Sequence, residues 1–107
     1  MASVPEQVVR RLEARLRAHV RDRWGRIQSL SVRPRGAFVY VEVQVDGQEE
    51  LEPVCRLRYL GNERDWEFAY YSWSRGNSGG YEPSYLSNGL PFGSPEECFD
   101  CAAGPWQ

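Results

Sequence analysis

Phe38-Val39-Tyr40-Val41-Glu42-Val43-Gln44-Val45 is the stretch from which the fold of this 107-residue chain is read. Its four valines recur at every second position, with Phe38, Tyr40, Glu42 and Gln44 between them. A period of two puts Val39, Val41, Val43 and Val45 on one side of a β-strand and the other four on the opposite side. The strand is predicted over 37–46. It ends at Asp46-Gly47, a pair that favours the tight turn of a hairpin.

The alternation extends in both directions. Upstream, Leu30 and Val32 alternate with polar residues before the turn signal Pro34-Arg35-Gly36, which predicts a strand over 27–33. Downstream, 52–60 reads as a strand with Cys55, Leu57 and Tyr59 on one face. Arg56 and Arg58 fall on the other, beside Val54 and Leu60, and Pro53 implies a bulge or an edge position. A third long strand over 66–73 is apolar or aromatic on both faces, with Trp66, Phe68 and Tyr70 against Ala69, Tyr71 and Trp73. Such a strand is expected near the centre of a sheet, covered in part on both sides. Glycine and serine dominate 74–80, which reads as a loop. A short edge strand over 81–86 brings the count to five, and Asn88-Gly89 to Gly93 is rich in turn residues.

Both ends of the chain carry helix grammar. In Ser3-Val4-Pro5-Glu6, Ser3 can cap, Pro5 suits the first turn and Glu6 falls at the capping-box position. Val8, Val9, Leu12, Leu16, Val20 and Trp24 then form one broad stripe at 100° per residue, with Arg10, Arg11, Arg15, Arg17 and Arg21 on the other side. A helix is predicted over 4–23, with Gly25 as its stop. Ser94-Pro95-Glu96-Glu97 repeats the start signal and opens a helix over 95–103, stopped by Gly104-Pro105. The fold class is therefore α+β in a single domain, 1–107. An antiparallel β-meander of three to five strands packs against a long N-terminal amphipathic helix, with a short C-terminal helix.

Composition narrows the function classes. Apolar residues make up 41% and aromatics 13%, which excludes a disordered chain. The sequence lacks a run of ~20 apolar residues and an apolar signal core at the N-terminus, so no membrane partner is expected. Three cysteines, an odd number, fit a reducing compartment, and a cytoplasmic location is expected. The net charge of −2 is unevenly spread. Residues 1–35 hold nine arginines against three acids, a balance of +6; residues 36–107 hold four against twelve, a balance of −8. Every basic residue is Arg, a side chain that forms planar, bidentate contacts with carboxylate or phosphate.

Chemistry-bearing patterns are few. Cys98 and Cys101 form a Cys-x-x-Cys pair that Cys55 and His19 would complete as a four-ligand zinc site. Zinc modules carry a second close pair, and the alternative is that both cysteines pack a helix onto the sheet. His19 is the one histidine available as a base for a cysteine nucleophile, and it stands on the rim of the apolar stripe. Gly76-Asn77-Ser78-Gly79-Gly80 has neither the lysine nor the following helix of a phosphate loop. No catalytic constellation and no cofactor are therefore expected.

Several segments together carry a resemblance: Phe38-Val39-Tyr40-Val41, Cys55-Arg56-Leu57-Arg58-Tyr59, Trp66-Glu67-Phe68-Ala69-Tyr70-Tyr71, Tyr81-Glu82-Pro83-Ser84-Tyr85-Leu86, Gly93-Ser94-Pro95-Glu96-Glu97 and Asp100-Cys101-Ala102-Ala103-Gly104. The chain resembles a family of small bacterial hypothetical proteins of about this length. The resemblance implies a free-standing domain and brings no catalytic residue with it. Cys98 looks less typical of that family than Cys101.

The reading that follows is a small non-enzymatic cytoplasmic binding or accessory protein whose partner is another protein or its own copy. The candidate surface is Arg10, Arg11, Arg17 and Arg21 of the first helix and Arg26 just after it, with Tyr81 and Tyr85 of the aromatic loop region that also holds Phe92 and Trp106. One alternative is nucleic-acid binding through the same arginines, with Tyr40, Tyr70 or Trp73 stacking on bases. Against it stands a solvated helix face whose arginines pair with the acids of the sheet. The other alternative is a zinc-binding domain with Cys55, Cys98, Cys101 and His19 as ligands.

Overall fold

The computed structural model describes residues 3–72 and 79–103. Trp73, Trp106, most of the 74–80 loop and the Gly104-Pro105 stop lie outside the described residues. The elements in order are α1 (Glu6–Arg23), β1 (Ile27–Arg35), β2 (Phe38–Val45), β3 (Glu52–Tyr59), β4 (Trp66–Ser72), β5 (Gly80–Pro83), β6 (Phe92–Gly93) and α2 (Pro95–Ala102). This is the α+β arrangement that the alternation and the two helix signals imply. The strands form one antiparallel sheet in the order β1-β2-β3-β4-β5, with β6 also paired to β4. Among the described residues no helix is long and apolar enough to cross a membrane.

The valines of β2 behave as their spacing requires. Val39, Val41, Val43 and Val45 are buried, while Phe38, Tyr40, Glu42 and Gln44 keep part of their surface in water. The buried side faces the helices. Val8, Leu12, Leu16 and Val20 of α1 join the β2 valines, Leu57, Trp66, Phe68, Cys98 and Phe99 in one cluster. Each such aliphatic side chain contributes about 1.5–3 kcal/mol when fully buried. α1 packs along β1, and α2 packs over β3 and β4. Among the described residues, the opposite side of the sheet carries no helix.

Four local expectations are corrected. The first helix begins at Glu6, with Pro5 as its N-cap and no side-chain cap, so Ser3 does not form a capping box. The residue before a proline is driven out of the helical region, and Val4 is used otherwise: its N–H donates to the Gly36 carbonyl at 3.1 Å and its side chain is buried. The first strand runs on through Pro34, whose missing N–H is tolerated in an edge strand. In β3 the register shifts between Val41 and Glu42, a bulge that turns Val54 into the core beside Cys55. The fifth strand is shorter than expected, and the turn-rich stretch before α2 contains β6, which pairs Phe92 with Glu67 and Gly93 with Trp66. The start signal of α2 forms in full, with Ser94 Oγ accepting from the Glu97 N–H and Glu97 Oε1 accepting from the Ser94 N–H.

Candidate interaction surface

The side of the sheet that carries no helix among the described residues is assembled by strand register. Because β2 pairs with β3 and β3 with β4, its outward residues line up in cross-strand rows. One row is Arg33, Tyr40, Arg56, Ala69 and Pro83; the next is Arg35, Phe38, Arg58, Glu67 and Phe92. Tyr71 and Tyr81 stand opposite each other on β4 and β5 beyond them. The Arg56 guanidinium lies over the Phe38 ring at 4.5 Å and over the Tyr81 ring at 5.5 Å. Tyr81 meets Tyr40 edge-on at 5.4 Å between centroids and Tyr71 at 5.2 Å. Stacking of this kind holds a half-buried arginine in place without neutralising it.

Charge on this face is partly compensated. Arg33 engages Glu42 through Nε and Nη2, both at 3.0 Å, and Arg58 stands 3.6 Å from Glu67. Arg35 and Arg56 have no carboxylate partner among the described residues. Ala69 is the one short side chain in its row, and the gap above it is a depression of about 200 Å³ walled by Phe38, Arg56, Arg58, Glu67, Pro83 and Pro91. The Arg56 guanidinium beside an apolar floor can receive a carboxylate together with a neighbouring apolar side chain, while Arg58 is shared with Glu67. Burial is the main force that pushes the Tyr81 hydroxyl up to about 12, with the nearby Glu42 carboxylate adding to it. The ring cluster therefore holds its hydroxyl protonated.

The arginines of α1 are placed differently. Arg11 grips Glu63 of the β3–β4 loop with two hydrogen bonds of 2.8 Å. Arg15 binds Glu96 of α2 at 2.7 and 2.9 Å and donates to the Glu63 carbonyl at 3.0 Å. The Arg11 hydrogen bond holds the Glu63 carboxyl below its usual range. Arg10 pairs with Glu6, and Arg17 with Glu13, one helical turn away. Of the candidate arginines on this element and just after it, Arg21 and Arg26 stand without an acidic partner among the described residues. Nor does the charge split of the sequence survive in space, since the Asp46 N–H donates to the Arg26 carbonyl and brings the acidic 46–52 hairpin to the basic end of α1. Tyr85, the other aromatic candidate, is exposed and apart from the ring cluster, with its carbonyl turned to Cys101 of α2.

The secondary metal candidates are dispersed among other roles. His19 Nε2 is 2.6 Å from Asp100 Oδ1, an oxygen that also accepts from Trp24 Nε1 at 2.9 Å. This triad ties α1 to α2. Cys55 and Cys98 lie in the core; burial pushes the Cys55 thiol up strongly and the Cys98 thiol to about 12. Cys101 is exposed. Among the described residues, no three His, Cys, Asp or Glu side chains gather as a metal-binding group.

Sequence reasoning named Tyr40 and Tyr81 but omitted Phe38, Arg56 and Arg58 from the candidate surface. The available signal was an outward Arg-x-Arg strand beside an outward Phe-x-Tyr strand. No family model, curated protein or solved structure matches this chain.

Proposed function

We propose that this chain is a small non-catalytic binding module that docks another protein chain on the open face of its sheet. The observation that carries this reading is Arg56, stacked between Phe38 and Tyr81 beside the depression over Ala69 and left without a carboxylate partner among the described residues. Arg, Tyr and Phe are the residues in which interface cores are enriched, and a few of them supply most of the binding energy. The three free thiols fit a cytoplasmic setting, which this reading adopts.

The test is selection of peptides from a random display library on the folded protein, followed by amide chemical-shift mapping of the enriched peptides. Shifts concentrated on the outward positions of β2, β3 and β4 are expected. Arg56→Met should weaken binding at least about tenfold, the loss expected when a central charged contact is removed. Enriched peptides that map to α1, or that bind Arg56→Met unchanged, would refute the reading.

A single nucleic-acid strand is the second reading, favoured by the rings of Tyr40, Tyr71 and Tyr81 beside arginines. An unstructured oligonucleotide whose affinity falls steeply with salt and whose footprint covers the same face would install it in place of the first.

A further inference from the structure

The turn between β2 and β3 carries acids of a different standing from Glu42 and Glu67, which arginines of the open face engage. Asp46, Glu49, Glu50 and Glu52 have no cationic partner among the described residues. Leu51, set among them, is 46% exposed. The tip is not a loose tail. Gly47 takes a φ of 84°, the Gln48 N–H donates to the Val45 carbonyl at 3.0 Å, and Gln44 Nε2 donates to the Gln48 carbonyl at 3.0 Å. It is an acidic segment with one apolar side chain, held out at the end of two strands.

We infer that the open face takes the 46–52 hairpin of a second copy of this chain. The inference rests on the docking role proposed above and names the occupant. Charge complementarity carries it: among the described residues Asp46, Glu49 and Glu50 stand unpaired on the hairpin, and Arg35 and Arg56 stand unpaired on the face. Leu51 matches the apolar floor over Ala69. The hairpin cannot serve its own face. From Tyr40, in the Arg56 row, to Val45 at the hairpin base the strand runs away from the depression by roughly 17 Å, at ~3.3 Å per residue.

A second copy removes that separation. A two-fold axis crossing the strands midway between hairpin and depression puts each hairpin over the partner's Arg56. The contact then closes as a dimer instead of growing into a filament. Using both sites doubles an interface that a single seven-residue tip would leave well short of the ~1,600 Å² common in stable complexes. The contact depends on partly exposed charges, so the dimer is weak and sensitive to salt.

Sedimentation velocity of the full chain tests this. At about 0.05 M salt a concentration-dependent monomer–dimer equilibrium is expected, and at about 0.5 M salt its dissociation constant should rise at least about tenfold as screening shortens the reach of the charges. Glu49→Arg with Glu50→Arg should be monomeric, and so should Arg56→Glu. Mixed in equal amounts, these two should restore a dimer that neither forms alone. Arg35→Glu, on an exposed side chain, replaces Arg56→Glu if the latter fails to fold by circular dichroism.

A wild-type chain that stays monomeric at low salt overturns the inference, while peptide mapping on the open face would leave the docking role standing. So does a dimer lost on changing Arg21, Arg23 and Arg26 to Gln but indifferent to Arg56→Glu. A dimer that survives both hairpin and face variants overturns it as well.

Discussion

On the helix side of β2, Val39, Val41 and Val43 are fully buried; on the other side of the same strand, Phe38, Tyr40 and Glu42 keep part of their surface in water. The covered side is held by apolar area removed from water, which is non-directional and adds up over the whole cluster. The open side is held by ion pairs and ring contacts, most of them partly solvated and each worth on the order of 1 kcal/mol or less. The difference shows where this sequence is constrained by stability and where it is not. A residue on the covered side answers to packing; a residue on the open side can be changed at small cost to stability.

The largest break in that comparison comes from the covered side. Trp66 is fully buried and its Nε1 donates to the Glu63 carbonyl at 3.3 Å. Trp66→Ala is predicted to lower unfolding free energy by about 3–5 kcal/mol, from lost transfer energy and the cavity left behind. Tyr40→Ala, two strands away on the open side, is predicted to cost about 1 kcal/mol or less. Urea unfolding of both variants measures the gap. Equal losses would mean that the open face is a second core.

How much of this contrast was legible in the sequence depends on the range of the forces involved. The β2 alternation, the Asp46-Gly47 turn and the Ser94 capping box are local, so their residues announce them. Pro5 competes with Ser3 for the start of α1, and the outcome turns on Val4 being pinned to Gly36, a contact across 32 positions of chain. The same limit hides the state of the helix arginines. Arg11 finds Glu63, and Arg15 finds Glu96, only after the sheet has set their positions, and no spacing rule predicts either pair. Arg56 was visibly outward-facing, but its seat between Phe38 and Tyr81 needs the register of four strands, one of them bulged.

The second break lies where the two helices meet over the covered face. Asp100 Oδ1 is shared by His19 Nε2 and Trp24 Nε1. Asp100→Ala leaves both ring nitrogens without that acceptor and is predicted to cost about 1–2 kcal/mol, while Asp100→Asn, which keeps an oxygen there, should cost less. Thermal or urea unfolding at neutral pH separates the two. A loss that is the same for Ala and Asn would show that charge, and not the hydrogen-bond acceptor, holds the helices together.

A third comparison sets one contact from each side against the other. Ser94 caps α2, and Ser94→Ala is predicted to cost about 1 kcal/mol by freeing the Glu97 N–H. Arg58→Ala breaks a 3.6 Å pair between side chains that are 49% and 41% exposed, and is predicted to change stability by less than about 0.5 kcal/mol. A cost for Arg58→Ala above that for Ser94→Ala would mean that the open face contributes to folding as the covered one does.

The smallest effect asks how open the open face is. Burial and the Glu42 carboxylate hold the Tyr81 hydroxyl protonated to about 12, against an ordinary value of 10.0. Between those values the unfolded chain loses this proton and the folded chain keeps it. The stability associated with Tyr81 is thus fully present below pH 10, and it is lost as pH rises towards 12. Tyr81→Phe cannot ionise. At neutral pH it should change stability by no more than about 0.5 kcal/mol, because the ring and its contacts with Tyr40, Tyr71 and Arg56 remain. Above pH 10 its stability should fall less than that of the wild type. The tyrosinate absorbance of the wild type should show a late-ionising hydroxyl that the variant lacks. If the two proteins lose stability in parallel through this range, Tyr81 is solvated like a loop residue, and Arg56 then has one stacking wall instead of two.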